Sequence, residues 1–293
     1  MSDTSTPEKR RSSGRVFQVR PEEIQTPWLA WPTVGLGIAS PLLWLWSFCR
    51  ILEGQLSYSV LSFVACFVCF TPTHDASHWA IGRTTPLARL VNETIGRINV
   101  IPLLSPFPAF RHVHLLHHKH TNDPERDPDF FSQGGLWNCF LQEFYYYYYL
   151  FKHYNQVPAL VWLESLLMLA GTVWGVAYGA ALWGWQPMVF GVLLPQRAAV
   201  IYLAYCFDYV PHNEAHRQDH GNPYLVTKRI TNFFGTMKTG TLVESALRLV
   251  VLNQDAHIIH HLYPTVPFYK YHSVWKEHEK EFYHAGVQKT SLF

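Results

Sequence analysis

The chain has 293 residues, of which 48% are hydrophobic, 16% aromatic and only 15% charged. Charged residues make up roughly 25% of an ordinary water-soluble domain, so the shortfall argues against one, while 11 Trp, 16 Tyr and 19 Phe exclude intrinsic disorder. A net charge of +2 points to neither nucleic acid nor an acidic partner, and a mean hydropathy near zero excludes a chain that lies in the membrane throughout.

Residues 1–27 form a polar tail carrying Lys9, Arg10, Arg11, Arg15 and Arg20. No apolar core or cleavage site follows this basic patch, so it does not read as a removable signal peptide. Apolar stretches then cover about 28–49 and 56–72, each near the ~20 residues needed to cross a ~30 Å hydrocarbon core. Residues 50–55 leave room only for a tight turn, which makes 28–72 a first transmembrane hairpin. Residues 73–157 are mixed. Within them, 98–110 is apolar but short and broken by Pro102, Pro106 and Pro108, the pattern of a re-entrant or interfacial piece. Residues 136–151, with five tyrosines in a row at 145–149, suit either the membrane interface or a buried aromatic helix. A second pair of apolar stretches, 158–182 and 186–209, makes the second hairpin, 158–209, and residues 210–293 close the chain with a polar segment.

The expected fold is therefore an all-α integral membrane protein, a single domain of four transmembrane helices in two hairpins under a cytoplasmic helical cap. Of the 23 Lys and Arg, 21 fall in the tail, 73–157 or 210–293, and the positive-inside bias puts both termini and both polar segments in the cytoplasm. The five cysteines are too few and too apolar in context for a disulfide framework, and the Cys66-x2-Cys69 pair reads as helix packing.

Histidine is the outlier: 17 in all, 13 of them in four short stretches. These are His74 and His78; His112, His114, His117, His118 and His120; His212, His216 and His220; and His257, His260 and His261. Positions i and i+4 share a helix face, so His74 and His78 aim at one point, and the offsets 0, 3 and 4 of H-x2-H-H converge likewise. Neutral imidazole is the commonest metal ligand and suits iron, copper, zinc and nickel. An even number of spans separates each cluster from the others, so all emerge on one side of the membrane. His74, His78, His114, His117, His118, His212, His257, His260 and His261 supply nine imidazoles, too many for one ion and enough for two. His112, His120, His216 and His220 read as supporting or surface residues, and His153, His272, His278 and His284 as solvated ones.

The order H-x3-H, H-x2-H-H, H-x2-H-H around two hairpins resembles the membrane fatty acid desaturase–hydroxylase superfamily. The stretches HDASH, HLLHHKHTNDPERDPDFF, DYVPH and NQDAHIIHHLYPTVPFYKY are similar to its β-carotene hydroxylase and ketolase branch. The resemblance implies a non-haem di-iron centre that uses O2 and two external electrons to oxidise an unactivated C–H bond of a lipid-soluble substrate. It makes the nine histidines the ligands, with Asp75, Asn122, Asp123, Asp127 and Asp129 as supporting residues and Asn253 as a position that holds a water or orients a ligand. No haem-binding HPGG segment or G-x-G-x-x-G loop occurs, so electrons are expected from a separate ferredoxin or cytochrome b5-type donor. Arg126, Lys228, Arg229, Lys270 and Lys276 are candidates for its docking face. An acyl-lipid desaturase or hydroxylase shares these boxes. A histidine-rich metal transporter is the rival from another class, although transporters place ionisable residues within spans.

Overall fold

A computed structural model describes residues 17–217, 221–235 and 240–293; Lys9, Arg10, Arg11, Arg15 and His220 lie outside the described residues. Among the described residues, four helices are long and apolar enough to cross a membrane. The first two, α1 (Trp31–Leu52) and α2 (Leu56–Ser77), pack along each other. Then come the shorter α3 (Pro86–Asn99), α4 (Phe107–His120) and α5 (Leu136–Lys152), followed by the long α6 (Ala159–Trp183) and α7 (Trp185–Tyr209). Apolar side chains on the long helices point outward, among them Leu42 and Trp46 on α1 and Leu163, Leu167 and Trp174 on α6. Such a surface is stable only where hydrocarbon covers it.

Hydrocarbon offers no hydrophobic drive between helices, so contacts among them rest on close packing and hydrogen bonds. The hydroxyls of Ser47 and Ser62 are 2.7 Å apart between α1 and α2. Ser40 Oγ donates to Asn99 Oδ1 at 2.9 Å, and Asn99 Nδ2 donates to the Gly37 carbonyl at 2.8 Å, tying α1 to α3. A Cβ on Gly37 would sit 2.6 Å from Ile95 Cγ2, so glycine is what lets these two helices approach.

Three features differ from the sequence expectation. The helix carrying His74 outlasts its apolar stretch and runs to Ser77, because the polar HDAS residues are buried by neighbouring elements rather than exposed. Segment 98–110 is not one re-entrant piece. It is the end of α3, a turn in which Leu104 is left-handed, and the first turn of α4, where Pro108 is compatible with a helix start. The chain is also not purely helical: β1 (Lys228–Asn232) and β2 (Gln288–Ser291) pair in parallel, with Lys228 opposite Gln288. Short polar strands give no periodicity strong enough to announce this pairing. Between the strands lie α8 (Thr241–Val250), α9 (His257–Leu262), α10 (Tyr271–Glu277) and α11 (Glu279–Ala285).

Two cores fix these parts. Ile258, Ile259, Tyr271, Trp275 and Phe282 form a C-terminal cluster behind α9. Phe67, Leu203 and Phe207 of the long helices pack with Ile230, Leu247 and Leu292, so the strand pair is locked to α2 and α7.

Candidate metal centre

Each histidine box sits where a helix is anchored by contacts outside the box. His74 lies in the last turn of α2 and His78 caps it. Arg111, on α4, donates to the Ala76 carbonyl at 2.9 Å and pairs with Glu93 at 2.6 Å, which holds the helix of the second box against the end of the first. The π-helical turn Ala204–Tyr209 of α7 leads directly to His212; wide turns of this kind re-aim the residues that follow and concentrate at functional sites. Leu252 and Asn253 are both left-handed, with φ of 48° and 63°, and redirect the chain from α8 into the turn that starts α9.

The clusters meet. His74, His78, His114 and His260 bring one ring nitrogen each within 4.8 Å of one another, as do His117, His212, His257 and His261. His118 stands between the groups, its Nε2 2.6 Å from that of His260 and 3.3 Å from that of His114, with its ring centre 4.4 Å from that of His261. The two H-x2-H-H boxes thus do not each aim at one point, as their spacing suggests. Around a helix, offsets 0 and 4 lie about 40° apart, while offset 3 lies about 60° to the other side. His257 and His261 accordingly stay together and His260 joins the other group; in α4, His114 and His118 stay close and His117 departs.

The outer ring nitrogens have defined partners. Nδ1 of His117 donates to the Asp127 carboxylate at 2.9 Å, and Asp129 Oδ2 lies 3.4 Å away. Nδ1 of His212 donates to the Val226 carbonyl at 3.2 Å. Gln254 Oε1 is 3.1 Å from His257 Nδ1, and Tyr271 Oη is 3.1 Å from His260 Nδ1. Since a carboxylate or a carbonyl only accepts, His117 and His212 both donate from Nδ1. Neutral His212 turns a lone pair inward on Nε2. His117, held protonated by Asp127 and Asp129 in the metal-free protein, would offer one there only on giving up its second proton to a metal.

The other acids and amides named from sequence separate into distinct roles. Asp75 does not hydrogen-bond His74, whose Nδ1 is 3.9 Å away. It accepts from Thr33 Oγ1 at 2.9 Å and from the Phe268 backbone N–H at 3.2 Å, joining α1, α2 and the segment after the third box. Asn122 donates through Nδ2 to the carbonyls of His216 and Val226, both at 2.8 Å, and thereby steadies the acceptor that His212 uses. Asp123 caps its own turn and pairs with Arg126 and Arg217, without reaching a histidine of the cluster. Asn253 is left-handed and turns the chain toward α9, and its neighbour Gln254 contacts Nδ1 of His257. His112 and His120 are on α4 but outside both groups, and the His216 backbone accepts from Asn122 and donates to the Leu225 carbonyl. Gln254, Tyr271 and Thr33 carried no motif signal; only proximity in the fold marks them.

The electrostatics suit a cation. Burial and mutual repulsion push His78, His114, His118, His212, His257, His260 and His261 well below the usual imidazole range, so they are neutral. His117 is the exception: burial opposes its proton, but Asp127 and Asp129 outweigh it and raise the imidazole to about 9. Nε2 of His78 and of His212 is buried without a hydrogen-bond partner. Inward lone pairs and orphaned nitrogens at this density would repel one another, and metal ions held by the two groups would remove that cost. The donor set therefore fits a pair of first-row metal ions.

An apolar cavity of about 100 Å³ runs from this cluster between α4, α5 and α7, touching His74, His114, His117 and His257 and walled by Phe110, Val113, Leu150, Leu203 and Phe207. Arg197 of α7 pairs at 2.9 Å with Glu143 of α5, which itself lines the cavity. Among the cations considered for a docking face, Arg229 is buried against Asp255 and Trp275 and so is removed from the surface.

The sequence profile described as Fatty acid desaturase matches residues 54–293. Over 205 residues, 69% of this chain, the sequence is 23% identical to the zeaxanthin 4-ketolase of Chlamydomonas reinhardtii, covering 39% of that protein. Over 73 residues, 22% of this chain, it is 36% identical to the sn-1 oleoyl-lipid 12-desaturase of Anabaena variabilis, covering 20% of that protein. The matched part thus spans well under half the length of either relative.

Proposed function

The chain belongs to the fatty acid desaturase family, and from that premise we propose that it is an O2-dependent di-iron oxidoreductase of the membrane that hydroxylates or ketolates a carotenoid ring. The observation that carries the reading is the division of eight histidines into two groups of four with His118 between them. His74, His78, His114 and His260 would hold one iron, and His117, His212, His257 and His261 the other. Bound iron would supply the activation of O2 needed to oxidise an unactivated C–H bond.

The protein's own residues do the rest. Asp127, Gln254, Tyr271 and the Val226 carbonyl hold four imidazoles in orientation through Nδ1. Phe110, Leu203 and Phe207 form a dry wall that positions an apolar substrate beside His74, His114, His117 and His257 and keeps water away. The substrate enters from the bilayer, since the cavity lies between α5 and α7, both with exposed apolar faces. Electrons come from a separate ferredoxin or cytochrome b5-type protein on the cytoplasmic side, where the excess of Lys and Arg supports placing both termini and the centre.

The carotenoid substrate is supported by the ketolase relative, which matches over most of this chain. The shorter match to a lipid desaturase favours acyl-chain oxidation as the second reading. Expression in a host that makes β-carotene, with pigments and acyl chains analysed together, separates the two. New oxygenated carotenoids support the proposal. Unchanged pigments beside new unsaturated or hydroxylated acyl chains overturn the carotenoid choice, and two irons per chain by total-metal analysis distinguish either reading from a metal transporter.

A further inference from the structure

The helix α3 has three different sides. It buries Ala88, Asn92, Ile95 and Asn99 against α1 and α2, while Leu87, Leu90 and Ile98 point outward, the first two 56% and 63% exposed. Arg89, Glu93 and Arg97 follow one another at four-residue spacing along a third side between these two. An apolar stripe beside a charged one is the pattern of a helix that lies in the plane of a membrane surface. Its neighbours mark the same level. Trp28 and Trp31, both exposed, meet edge to face with ring centres 6.5 Å apart where α1 begins. Trp28 Nε1 donates to Thr85 Oγ1 at 3.2 Å, one residue before α3, and the Ala30 N–H donates to the Ile81 carbonyl at 2.8 Å. Tryptophan concentrates where hydrocarbon meets the headgroups, so the start of α1 and the start of α3 share that layer.

The charge at this level is one-sided. Arg83 and Arg89 are the only charged residues from Trp79 to Asn92, and both are exposed. Arg89 Nε donates to the Arg83 carbonyl at 2.8 Å, which brings its guanidinium onto the loop that bears Arg83. The acids further along α3 are already engaged: Glu93 pairs with Arg97 and Arg111, and Glu164 of α6 with Arg97. Two carboxylates there balance two guanidiniums. Among the described residues, Arg83 and Arg89 have no such counter-charge. A guanidinium binds phosphate oxygens in a two-pronged fashion, so two of them beside an exposed apolar stripe match a phosphate carried on acyl chains.

We propose that Arg83 and Arg89 bind the phosphate of an anionic phospholipid whose acyl chains lie along Leu87, Leu90 and Ile98 of α3. A zwitterionic lipid offers the same phosphate but brings its own ammonium, which two unbalanced cations repel. The same helix reaches the metal centre, because Asn92 Nδ2 donates to the Ala76 carbonyl, between His74 and His78, at 2.9 Å. The inference uses only the membrane placement of α1 and α2. Its failure therefore leaves the di-iron and substrate readings as they stand.

The test places the purified full chain in phosphatidylcholine nanodiscs. These contain a small fraction of either phosphatidylglycerol or phosphatidylcholine that carries a photoreactive group beside its phosphate, and the labelled residues are mapped by peptide mass spectrometry. Each cation near a membrane surface favours anionic lipid by about 5-fold, so phosphatidylglycerol is expected to label residues 79–91 roughly 25-fold more than phosphatidylcholine does. Arg83→Gln combined with Arg89→Gln brings the two lipids level, whereas Arg83→Lys combined with Arg89→Lys keeps most of the preference, because the charge remains. Inorganic phosphate in excess over lipid leaves the labelling unchanged; displacement by it would make this a site for a soluble anion and overturn the lipid assignment. Equal labelling by both lipids, or no label within 79–91, overturns the inference. A preference that survives the glutamine variants does so too. Where those variants fail to fold, the ratio on the unaltered chain decides.

Discussion

Nδ1 of His117 lies 2.9 Å from the carboxylate of Asp127, and this single hydrogen bond decides which ring nitrogen faces the cluster. The same carboxylate accepts from the backbone N–H of Asn122 at 2.7 Å and of Asp129 at 2.8 Å, so it is itself held by the turn after α4. Removing such an outer partner costs a metal site roughly 10- to 100-fold in affinity. Asp127→Asn, which keeps the shape and loses the charge, is expected near the lower figure and Asp127→Ala near the higher. Iron retained per chain against chelators of graded strength measures this. Unchanged retention in the alanine variant would remove Asp127 from the centre.

His260 belongs to one group and His257 and His261 to the other, although all three share a helix of six residues. His260→Ala is therefore expected to abolish turnover and release mainly one of the two irons. His284→Ala, at an exposed position on α11, should change neither. Total iron and activity on the same preparations check the pair, and full activity with full iron in His260→Ala contradicts the ligand assignment.

The second box depends on a contact far from any ligand. A Cβ on Gly96 would lie 2.4 Å from the ring of Phe107, the residue that opens α4. That ring is 1% exposed and covered by the guanidiniums of Arg111 and Arg97, at 4.4 and 5.4 Å from its centre, so it has nowhere to move. Gly96→Ala should destabilise the fold by about 1–3 kcal/mol through overpacking. Gly171→Ala, on α6 with nothing within 4 Å of the added carbon, should be neutral. Thermal denaturation in detergent compares them; equal melting temperatures would show that α3 and α4 can separate freely.

Seven imidazoles with lowered pKa values, five of them buried and His118 and His261 half-buried, make stability depend on pH in a fixed direction. For metal-free protein their contribution is fully present above the unfolded value near 6.5 and is lost as pH falls below it, since the unfolded chain binds protons that the folded cluster refuses. His117 has the opposite sign: its paired imidazolium stabilises the fold below pH ~6.5 and that contribution disappears as pH rises through about 9. Melting of metal-free protein between pH 5 and 10 should therefore peak near neutrality, about pH 6.5–7.5. Iron should shift the acid limb to lower pH, because metal and protons compete for the same nitrogens. A flat profile on the acid side would mean that the cluster is open to water.

Much of the chemistry was readable because its signals are local. H-x3-H and H-x2-H-H mark helix faces, and apolar runs of about 20 residues mark helices suited to a membrane. The family follows from these patterns, and it was legible in the boxes and in the stretches around them. The strand pair Lys228–Asn232 with Gln288–Ser291 was not, because strands of four and five residues carry no period that competes with helix signals. The backbone turn at Asn253 and the contacts of Asp75 with Thr33 and Phe268 were not legible either, because they depend on segments far apart in the chain.

Residue order therefore sufficed for the number of imidazoles, the helices that bear them and the apolar stretches between them, since helix periodicity acts over a few residues. How eight of the nine histidines divide between two groups, with His118 between them, was settled only by tertiary structure. A local pattern fixes the angles between His257, His260 and His261 but not which neighbours surround them. His74 and His260, 186 positions apart, come to 3.0 Å only because Asp75 holds the backbone at Phe268 to α2 and the Ile258 and Tyr271 core seats α9 behind it. Contacts of such separation depend on packing of the whole chain, and no spacing rule records them.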